Sequence, residues 1–376
     1  MRKIYLDNAS TTRVYPSVVK EMQKFMVDEY GNPSSQHSLG EKARKAIDNA
    51  REKIAKEINA KPWEIIFTSG ATEANNIALI GLAKASNKKK IVISAIEHPS
   101  ITEPCRYLES IGYKIVRIPV DAQGHLRIDK LKEEVEKNSH EILVVSVMHV
   151  NNIIGTIQDI DKIGEICRKK NVLFHSDAAQ SFGKLNMDIS KMNVDLMSAS
   201  GHKIGAGKGI GFLYIREGVK IEPIIYGGGQ EKGIRSGTEN VPGIIGMAKA
   251  LEMQKKVNKD KILRLRDELI EELQKINGKI NGSIQERIYN NVNVSFPLID
   301  SGVLVEYLSK KGIYVSSGSA CDSKKDKEDE TLRAIGLTSL EAKGAVRITL
   351  NEDITENDIE IVINEIKKAV KKLGLN

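Results

Sequence analysis

Short apolar runs alternate with segments of helical periodicity over the first 250 residues. Short apolar runs bounded by polar residues are typical of buried strands, and apolar residues three and four apart are typical of helices. The pattern predicts strands at 64–67, 90–94, 114–118, 142–147, 172–175, 195–198 and 211–215. It predicts helices at 16–26, 40–58, 71–85, 100–111, 128–137 and 160–170. This alternation predicts an α/β fold with a mostly parallel seven-stranded sheet covered on both faces.

The pattern changes after Gly227-Gly228-Gly229. One long helix is predicted over 241–276, and shorter elements follow it: strands at 291–296, 314–316 and 345–349, and helices at 303–311 and 356–373. These elements predict a smaller α+β domain, with the N-terminal residues packed beside it. We therefore expect a large domain over residues 13–250 and a small domain formed by 1–12 and 251–376.

The composition is that of an ordinary globular protein, with 40% hydrophobic and 28% charged residues among 376. The net charge of +7 would permit nucleic-acid binding. Acidic residues are interleaved with the basic ones, however, and no basic stretch is interleaved with aromatic residues. A solvated surface is the favoured interpretation, and direct nucleic-acid binding is not expected.

The sequence contains no apolar run of about 18 residues, so no membrane span is expected. The N-terminus lacks an apolar signal core. Three cysteines lie far apart without a CxxC pair. We expect no disulfide framework and no metal site, and a reducing cytoplasmic location.

Polar residues with catalytic potential follow two neighbouring predicted strands. Asp177 follows the strand at 172–175, and Lys203 lies just beyond the strand at 195–198. In parallel α/β sheets, ligands bind at the carboxyl ends of the strands. A carboxylate and a lysine amine placed there suit pyridoxal 5'-phosphate (PLP), which needs a Schiff-base lysine and often an acidic partner for its ring nitrogen.

Other strand ends carry further candidates, each with a plainer alternative. The turn 68–73 suits a phosphate at a helix N-terminus, although a capped helix is the favoured interpretation of that turn alone. His98 suits ring stacking or acid/base catalysis, and the plainer alternative is a histidine bonded to backbone groups. Asn152 suits cofactor orientation or a turn. Asp177 could also be a helix cap. The glycines around Lys203 precede a strand, which argues against a dinucleotide loop. Five such strand ends in succession favour a cofactor site.

Cys321 follows a predicted strand and precedes eight polar residues, 322–329. Such a run cannot form core, so an exposed and reactive thiol is one interpretation and an incidental surface thiol is the other. The cluster 235–238 offers a second phosphate-like site. Cys105 and Cys167 fall in helical patterns and are expected to be buried and inert.

Seven motifs together resemble one family, in order and spacing: TSGATEANN, EHPS, MHVNNIIG, HSDAAQSFGK, SGHK, RSGTEN and SSGSAC. They resemble the cysteine desulfurases of the iron–sulfur-assembly type, which are fold-type I PLP-dependent enzymes. The resemblance implies a cytoplasmic homodimer that converts L-cysteine to L-alanine. It also implies that the sulfur passes as a persulfide to an iron–sulfur scaffold or another acceptor, such as one for tRNA thiolation.

The resemblance implies roles for individual residues. Lys203 would be the Schiff-base lysine and the base, Asp177 would pair with the ring nitrogen, Gln180 with the ring hydroxyl, and His98 would stack on the ring. The other implied cofactor positions are Ala71, Thr72, Ser200, His202 and, from the partner subunit, Thr238. The substrate positions would be Asn32, Asn152 and Arg347, and the sulfur-accepting nucleophile Cys321.

Two segments depart from the family pattern. The residues 323–329 are highly charged where the family has a Ser-Leu-Glu-Pro-Ser-like segment, which bears on the choice of acceptor. After Arg347 the chain reads Ile-Thr-Leu-Asn, where the family tends to have Phe-Ser-Leu-Gly, which bears on local packing. A related PLP-dependent lyase, such as a selenocysteine lyase, is the alternative function. A non-catalytic scaffold is the alternative from another class, and the intact Lys203 and Asp177 argue against it.

Overall fold

The computed structural model describes residues 3–317 and 329–373. Its strands are β1 (Ile4–Tyr5), β2 (Ile65–Thr68), β3 (Lys90–Ser94), β4 (Lys114–Ile118), β5 (Ile142–Ser146), β6 (Leu173–Asp177), β7 (Leu196–Ser200), β8 (Gly211–Ile215), β9 (Lys279–Ile280), β10 (Asn291–Ser295), β11 (Ile313–Tyr314), β12 (Ser316–Ser317) and β13 (Ala345–Thr349). Its α-helices are α1 (Pro16–Val27), α2 (Ser38–Glu57), α3 (Ala71–Ala85), α4 (Pro99–Ser110), α5 (Ile128–Asn138), α6 (Ile160–Lys169), α7 (Ile189–Met192), α8 (Val241–Gln254), α9 (Lys259–Gln274), α10 (Ser301–Lys310), α11 (Glu330–Ala334), α12 (Ser339–Lys343) and α13 (Glu356–Leu373).

The described residues form a seven-stranded sheet in the order β2-β8-β7-β6-β5-β3-β4. β8 runs antiparallel to both its neighbours, and the other strands run in one direction. Successive residues of a strand point to opposite faces, and here they enter different cores. Leu196 and Leu213 belong to one core, whereas Met197 and Phe212 belong to the other. The predicted α/β class, with its mostly parallel seven-stranded sheet, is confirmed.

A second sheet of four antiparallel strands, in the order β12-β13-β10-β9, packs with α9, α10 and α13 around a separate core. Strand β1 pairs in parallel with β11, and Ile4 and Leu6 are buried in this second core. The N-terminal segment therefore packs beside the C-terminal part of the chain. The division at residues 12/13 and 250/251 stays a prediction.

The prediction of one helix over 241–276 is wrong. Helices α8 and α9 are separate because their apolar faces serve different cores: Met247 lies in the core of the large sheet and Leu269 in that of the small one. Asn258 begins the second helix, since its side chain accepts a hydrogen bond from the Lys261 N–H at 3.0 Å. A break between the helices lets each face its own core.

The prediction of one strand at 314–316 is also wrong, because the structure has two short strands there, β11 and β12. β11 pairs with β1, whereas β12 pairs with β13 in the other sheet. Val315 lies between the two strands. The alternation of apolar and polar residues around it gives no sign that the partner strand changes there. Helices of four or five residues, such as α7, α11 and α12, were not predicted because they are too short to show periodicity. Within the described ranges, no helix is both long and apolar enough to cross a membrane.

Candidate active site

A cavity of about 620 Å³ lies at the carboxyl edge of the large sheet, where β2, β3, β5, β6 and β7 end. It is closed on one side by the N-terminal residues Ala9, Ser10 and Thr11. Its wall contains nine of the ten predicted cofactor positions: Ala71, Thr72, His98, Asn152, Asp177, Gln180, Ser200, His202 and Lys203. The parallel sheet thus brings together residues more than a hundred positions apart in sequence.

Asp177 is the last residue of β6, and only 4% of it is exposed. Its Oδ2 accepts a hydrogen bond from Asn75 Nδ2 at 2.8 Å, and its Oδ1 accepts one from the Ala179 N–H at 2.9 Å. Each carboxylate oxygen therefore has a donor that fixes it in place. A buried and fixed carboxylate at a cavity wall can pair with a protonated ring nitrogen.

Lys203 lies in the short 3-10 turn Gly201–Lys203, directly after β7. Its Nζ donates hydrogen bonds to the backbone carbonyls of Ala9 and, at 2.8 Å, Ser10. The amine therefore lies in the cavity against the N-terminal segment, one strand away from Asp177. The cavity therefore contains both the amine and the carboxylate that the sequence predicted at neighbouring strand ends.

His98 is both a helix cap and a cavity residue, so its two sequence-based interpretations are compatible. Its Nδ1 accepts a hydrogen bond from the Ser100 N–H at 3.0 Å, at the start of α4. Burial lowers the pKa of His98, Asp177 opposes that shift, and Lys203 adds to it. The ring is therefore neutral at pH 7, and since Nδ1 accepts, its hydrogen is on Nε2.

The N-terminus of α3 opens onto the cavity beside Ser200 and His202. Backbone N–H groups without helical partners and the helix dipole together favour a phosphate there. Burial lowers the pKa of His202 to about 4, with help from Lys203 and Lys208. His202 is thus a neutral hydrogen-bonding group at pH 7, not a cation, and its Nδ1 lies 3.2 Å from Thr11 Oγ1.

Arg347 lies directly behind the cavity wall, with 1% of it exposed. Its Nη2 donates to Asp7 Oδ1 at 2.7 Å and to Ser10 Oγ at 2.6 Å, and its Nη1 donates to the Asn152 carbonyl at 3.1 Å. Its buried Nε has no hydrogen-bond partner among the described residues. Arg347 therefore retains a donor, next to two residues that line the cavity.

Of the other predicted residues, Thr238 and Asn32 do not lie on the cavity wall of this chain. Thr238 is exposed, and its assignment to the site of a partner subunit stays a prediction. Asn32 is also exposed, and its Oδ1 accepts a hydrogen bond from the Ser34 N–H at 2.9 Å. Cys321 lies outside the described residues. Cys105 and Cys167 are buried as predicted, and burial raises the pKa of each thiol to about 12.

Sequence reasoning missed several residues that support the site. Asn75 bonds Asp177 and lies three residues after Thr72, on the same face of α3. Lys184 contacts Gln180 from four residues further along the chain. Asn75 lies in the motif TSGATEANN and Lys184 in HSDAAQSFGK, so their spacing within these motifs was an available signal. The carbonyls of Ala9 and Ser10 carried none.

Comparison with known proteins agrees with this geometry. The family described as "Aminotransferase class-V" matches residues 4–362. The chain belongs to this family.

Within the family, the similarity is to cysteine desulfurases. The chain is 41% identical to "Cysteine desulfurase IscS" of Dictyoglomus turgidum, with 99% of this chain and 95% of the relative covered. It is 42% identical to "Cysteine desulfurase IscS 1" of Archaeoglobus fulgidus, with 98% and 97% covered. A solved structure titled "NIFS-LIKE PROTEIN" is 37% identical, with a TM-score of 0.93 over 99% of this chain and 100% of the other. The resemblance drawn from the motifs is confirmed.

Proposed function

We propose that this protein is a PLP-dependent cysteine desulfurase that converts L-cysteine to L-alanine and transfers the sulfur to Cys321. The observation that carries the proposal is the single cavity that holds both the buried Asp177 and the Lys203 amine at adjacent strand ends. The similarity to proteins named cysteine desulfurase over nearly the whole chain supports it.

The residues present fit PLP. The cofactor needs a partner for its ring nitrogen, an amine for its aldehyde and a site for its phosphate. Asp177, Lys203 and the N-terminus of α3 meet these needs in order, and the cavity of about 620 Å³ lies between them. The buried Oδ1 of Asn75, next to Asp177, has no hydrogen-bond partner in the described part of the chain. The cofactor supplies an electron sink when it is bound.

The chain's own groups have distinct tasks in this proposal. The Asp177 carboxylate, fixed by two hydrogen bonds, favours a positive charge at the neighbouring ring nitrogen position. Lys203 Nζ takes the proton from the substrate's α-carbon and later returns one. The neutral ring of His98 covers one side of the cavity without adding a charge that would compete with Asp177.

The substrate carboxylate is assigned to Arg347, whose Nη1 bonds the carbonyl of Asn152. The resemblance adds Asn32, which does not lie on the cavity wall of this chain. Arg347 shares one Nη with Asp7, yet its Nε has no partner among the residues described. A guanidinium can bind a carboxylate through two parallel hydrogen bonds, which also fixes the orientation of the amino acid. Loss of this contact is expected to raise KM for cysteine.

Cys321 receives the sulfur. Its thiolate attacks the substrate sulfur, so an S–S bond forms while the substrate's C–S bond breaks. The carbon fragment takes up a proton and leaves as alanine, and Cys321 keeps a persulfide. The balance is redox-neutral, since cysteine plus an enzyme thiol gives alanine plus an enzyme persulfide.

The finer features of the proposal rest on the resemblance. The protein would act as a cytoplasmic homodimer, in which Thr238 of each subunit completes the phosphate site of the other. The exposure of Thr238 supports this. The persulfide would pass to an iron–sulfur scaffold or to another acceptor protein.

The test begins with the absorbance spectrum of the purified protein supplied with PLP, before and after L-cysteine is added. A band near the visible edge that changes with cysteine, accompanied by alanine, is expected. Cys321→Ala should retain the band and lose alanine formation, whereas Cys167→Ala, which removes a buried thiol, should retain both. Wild-type rates of alanine and sulfide formation by Cys321→Ala would overturn the assignment of Cys321. Activity confined to selenocysteine would favour the alternative lyase.

A further inference from the structure

Lys184 is a buried lysine next to the cavity, and only 4% of it is exposed. It lies on the turn that follows β6, in which Phe182 N–H bonds the Ala178 carbonyl at 2.9 Å and Lys184 N–H bonds the Ser181 carbonyl at 2.9 Å. This helical turn places Lys184 on the same side as Gln180, four residues earlier. Lys184 Nζ donates to Gln180 Oε1 at 3.4 Å.

The surroundings of Lys184 do not compensate its charge. Lys90 is similarly buried, at 3% exposed, but it contacts the carboxylates of Glu134 and Glu141 at 3.3 and 2.9 Å. Lys184 has no carboxylate within 4.0 Å among the described residues. Burial and the nearby Lys203 lower the pKa of Lys184 to about 7, with Glu352 opposing them. A buried amine without an acidic partner is costly, which points to a role beyond packing.

That role follows from hydrogen-bond chemistry. Lys184 Nζ is the donor in this contact, and the only acceptor of the Gln180 side chain is its amide oxygen. The NH₂ group of Gln180 must then point the other way. Gln180 Nε2 indeed donates to the Ala9 carbonyl at 2.9 Å, and Lys203 Nζ donates to the same carbonyl. A donor from Gln180 is therefore presented beside the lysine amine, on the wall of the cavity.

We propose that Lys184 is a positioning residue that fixes the Gln180 amide with its NH₂ group toward the cavity, as a donor to an anionic ring oxygen of the bound cofactor. This inference rests on the proposed function, since that oxygen belongs to PLP. With Lys184 removed, the amide is free to rotate and present its oxygen. The anionic form of the ring oxygen then loses its donor.

The test is a pH titration of the absorbance band of the PLP-loaded enzyme. Lys184→Met keeps the length of the side chain and removes the donor. We expect the midpoint of the spectral transition to rise by about one pH unit, which corresponds to a tenfold weaker preference for the anionic form. Lys184→Gln keeps a donor, so its midpoint should rise less than that of Lys184→Met. Lys259→Met removes a neighbouring amine that bonds the Lys184 carbonyl and not Gln180, and it should leave the midpoint unchanged.

A second background separates positioning from a direct effect of charge. In Gln180→Ala, the further change Lys184→Met should leave the midpoint where it is, because there is no amide to orient. A shift of equal size in both backgrounds would overturn the positioning role, as would an unchanged midpoint in Lys184→Met alone. If Lys184→Met does not fold, Lys184→Gln and Gln180→Ala supply the comparison, and a midpoint as high in the former as in the latter overturns the proposal.

The outcome is distinguishable from a failure of the proposed function. A wild-type protein that binds no PLP would show no band, and both proposals would fall. A wild-type protein with a normal band and an altered spectrum on cysteine addition would retain the proposed function. In that case, an unaltered Lys184→Met would remove the positioning role alone.

Discussion

Single side chains set the charge distribution of the cavity through burial and hydrogen bonding. Asp177 is the buried carboxylate on its wall, whereas His98 and His202 are neutral at pH 7 because burial and Lys203 disfavour their cationic forms. The two histidines therefore add no positive charge to the cavity. This separation lets Asp177 act on one position of a bound ring without competition from protonated histidines.

Asp177→Asn tests this arrangement at the residue scale. The amide keeps the shape but has no negative charge, so a protonated ring nitrogen is no longer stabilised. We expect kcat for alanine formation to fall by at least about 100-fold, as when one electrostatic stabiliser is removed from other active sites. Steady-state assays of the PLP-loaded enzyme measure this.

Asp195→Asn is the matched control. Asp195 is equally buried, at 4% exposed, but it bonds Arg216 and the Phe174 N–H at the opposite edge of the sheet. It should lower stability and leave the spectrum of the bound cofactor unchanged. Equal losses of kcat in both variants would show that Asp177 has only a structural role.

Glu97 is expected to make the stability of the folded protein depend on pH. Its Oε1 accepts from the Met148 N–H at 2.9 Å, and its buried Oε2 has no partner among the residues described. Burial raises the pKa of Glu97 from 4.5 to about 8. Between those values the folded protein holds a proton that the unfolded chain has lost. The contribution of Glu97 to the free energy of unfolding is therefore fully present below pH 4.5 and is lost as the pH rises toward 8.

Glu97→Gln keeps the shape of the side chain but replaces the titratable carboxyl with an amide that is neutral at every pH tested. We expect the variant to gain stability relative to the wild type as the pH rises from 5 to 8, by on the order of a few kcal/mol. Urea unfolding of both proteins at several pH values measures the difference. A difference that stays constant with pH would contradict the assignment of a protonated Glu97.

Elements act through the way their ends approach each other. The first residue of β8, Gly211, lies against the turn that begins α3: an added Cβ would be 2.4 Å from the Ala199 carbonyl oxygen and 2.6 Å from Gly70 Cα. Only hydrogen fits there. The antiparallel insertion of β8 between β2 and β7 thus sets the position of the α3 N-terminus, where the phosphate is assigned.

Gly211→Ala is therefore expected to push the α3 turn out of place. We predict a loss of about 1–3 kcal/mol in stability, as for other overpacking changes, together with weaker PLP binding. Gly207→Ala is the control in the same segment, because its Cβ would meet only the flexible end of Met22, at 3.3 Å. Fluorescence titration with PLP and thermal unfolding measure the two effects, and equal PLP affinity in the two variants would contradict this account.

At the scale of the whole molecule, the N-terminal segment joins the two cores. Asp7 bonds Arg347 of β13, Thr12 bonds the His202 carbonyl, and between them Ala9 and Ser10 accept from Lys203. The active site therefore depends on one N-terminal segment, residues 7–12, that contacts both parts of the chain. The proposed homodimer would add a second such dependence, through Thr238.

Mixed dimers test the proposed contribution of Thr238 to the partner's site. Lys203→Ala and Thr238→Asp should each be inactive alone, the second because an added carboxylate repels the phosphate. Refolded or co-expressed together, they should recover about a quarter of the wild-type activity, since half of randomly mixed twofold dimers contain one intact site. No recovery, with heterodimers verified by mass, would place Thr238 in the site of its own subunit.

The sequence by itself determined the strands and helices of the large sheet and the order of the chemical groups along it. It did so because apolar periodicity is local, and because the ends of parallel strands must meet at one edge. These two local rules were sufficient to assign Asp177, His98 and Lys203 to a single site.

The tertiary structure decided what local patterns do not record. The break between α8 and α9, the change of partner at Val315 and the position of Arg347 behind Asn152 all follow from which core a segment packs against. The contact of Lys203 with the Ala9 carbonyl joins residues 194 positions apart. Such contacts depend on the packing of the whole chain. A backbone carbonyl has the same chemistry in every residue, and only its position in the fold makes it a hydrogen-bond acceptor for Lys203.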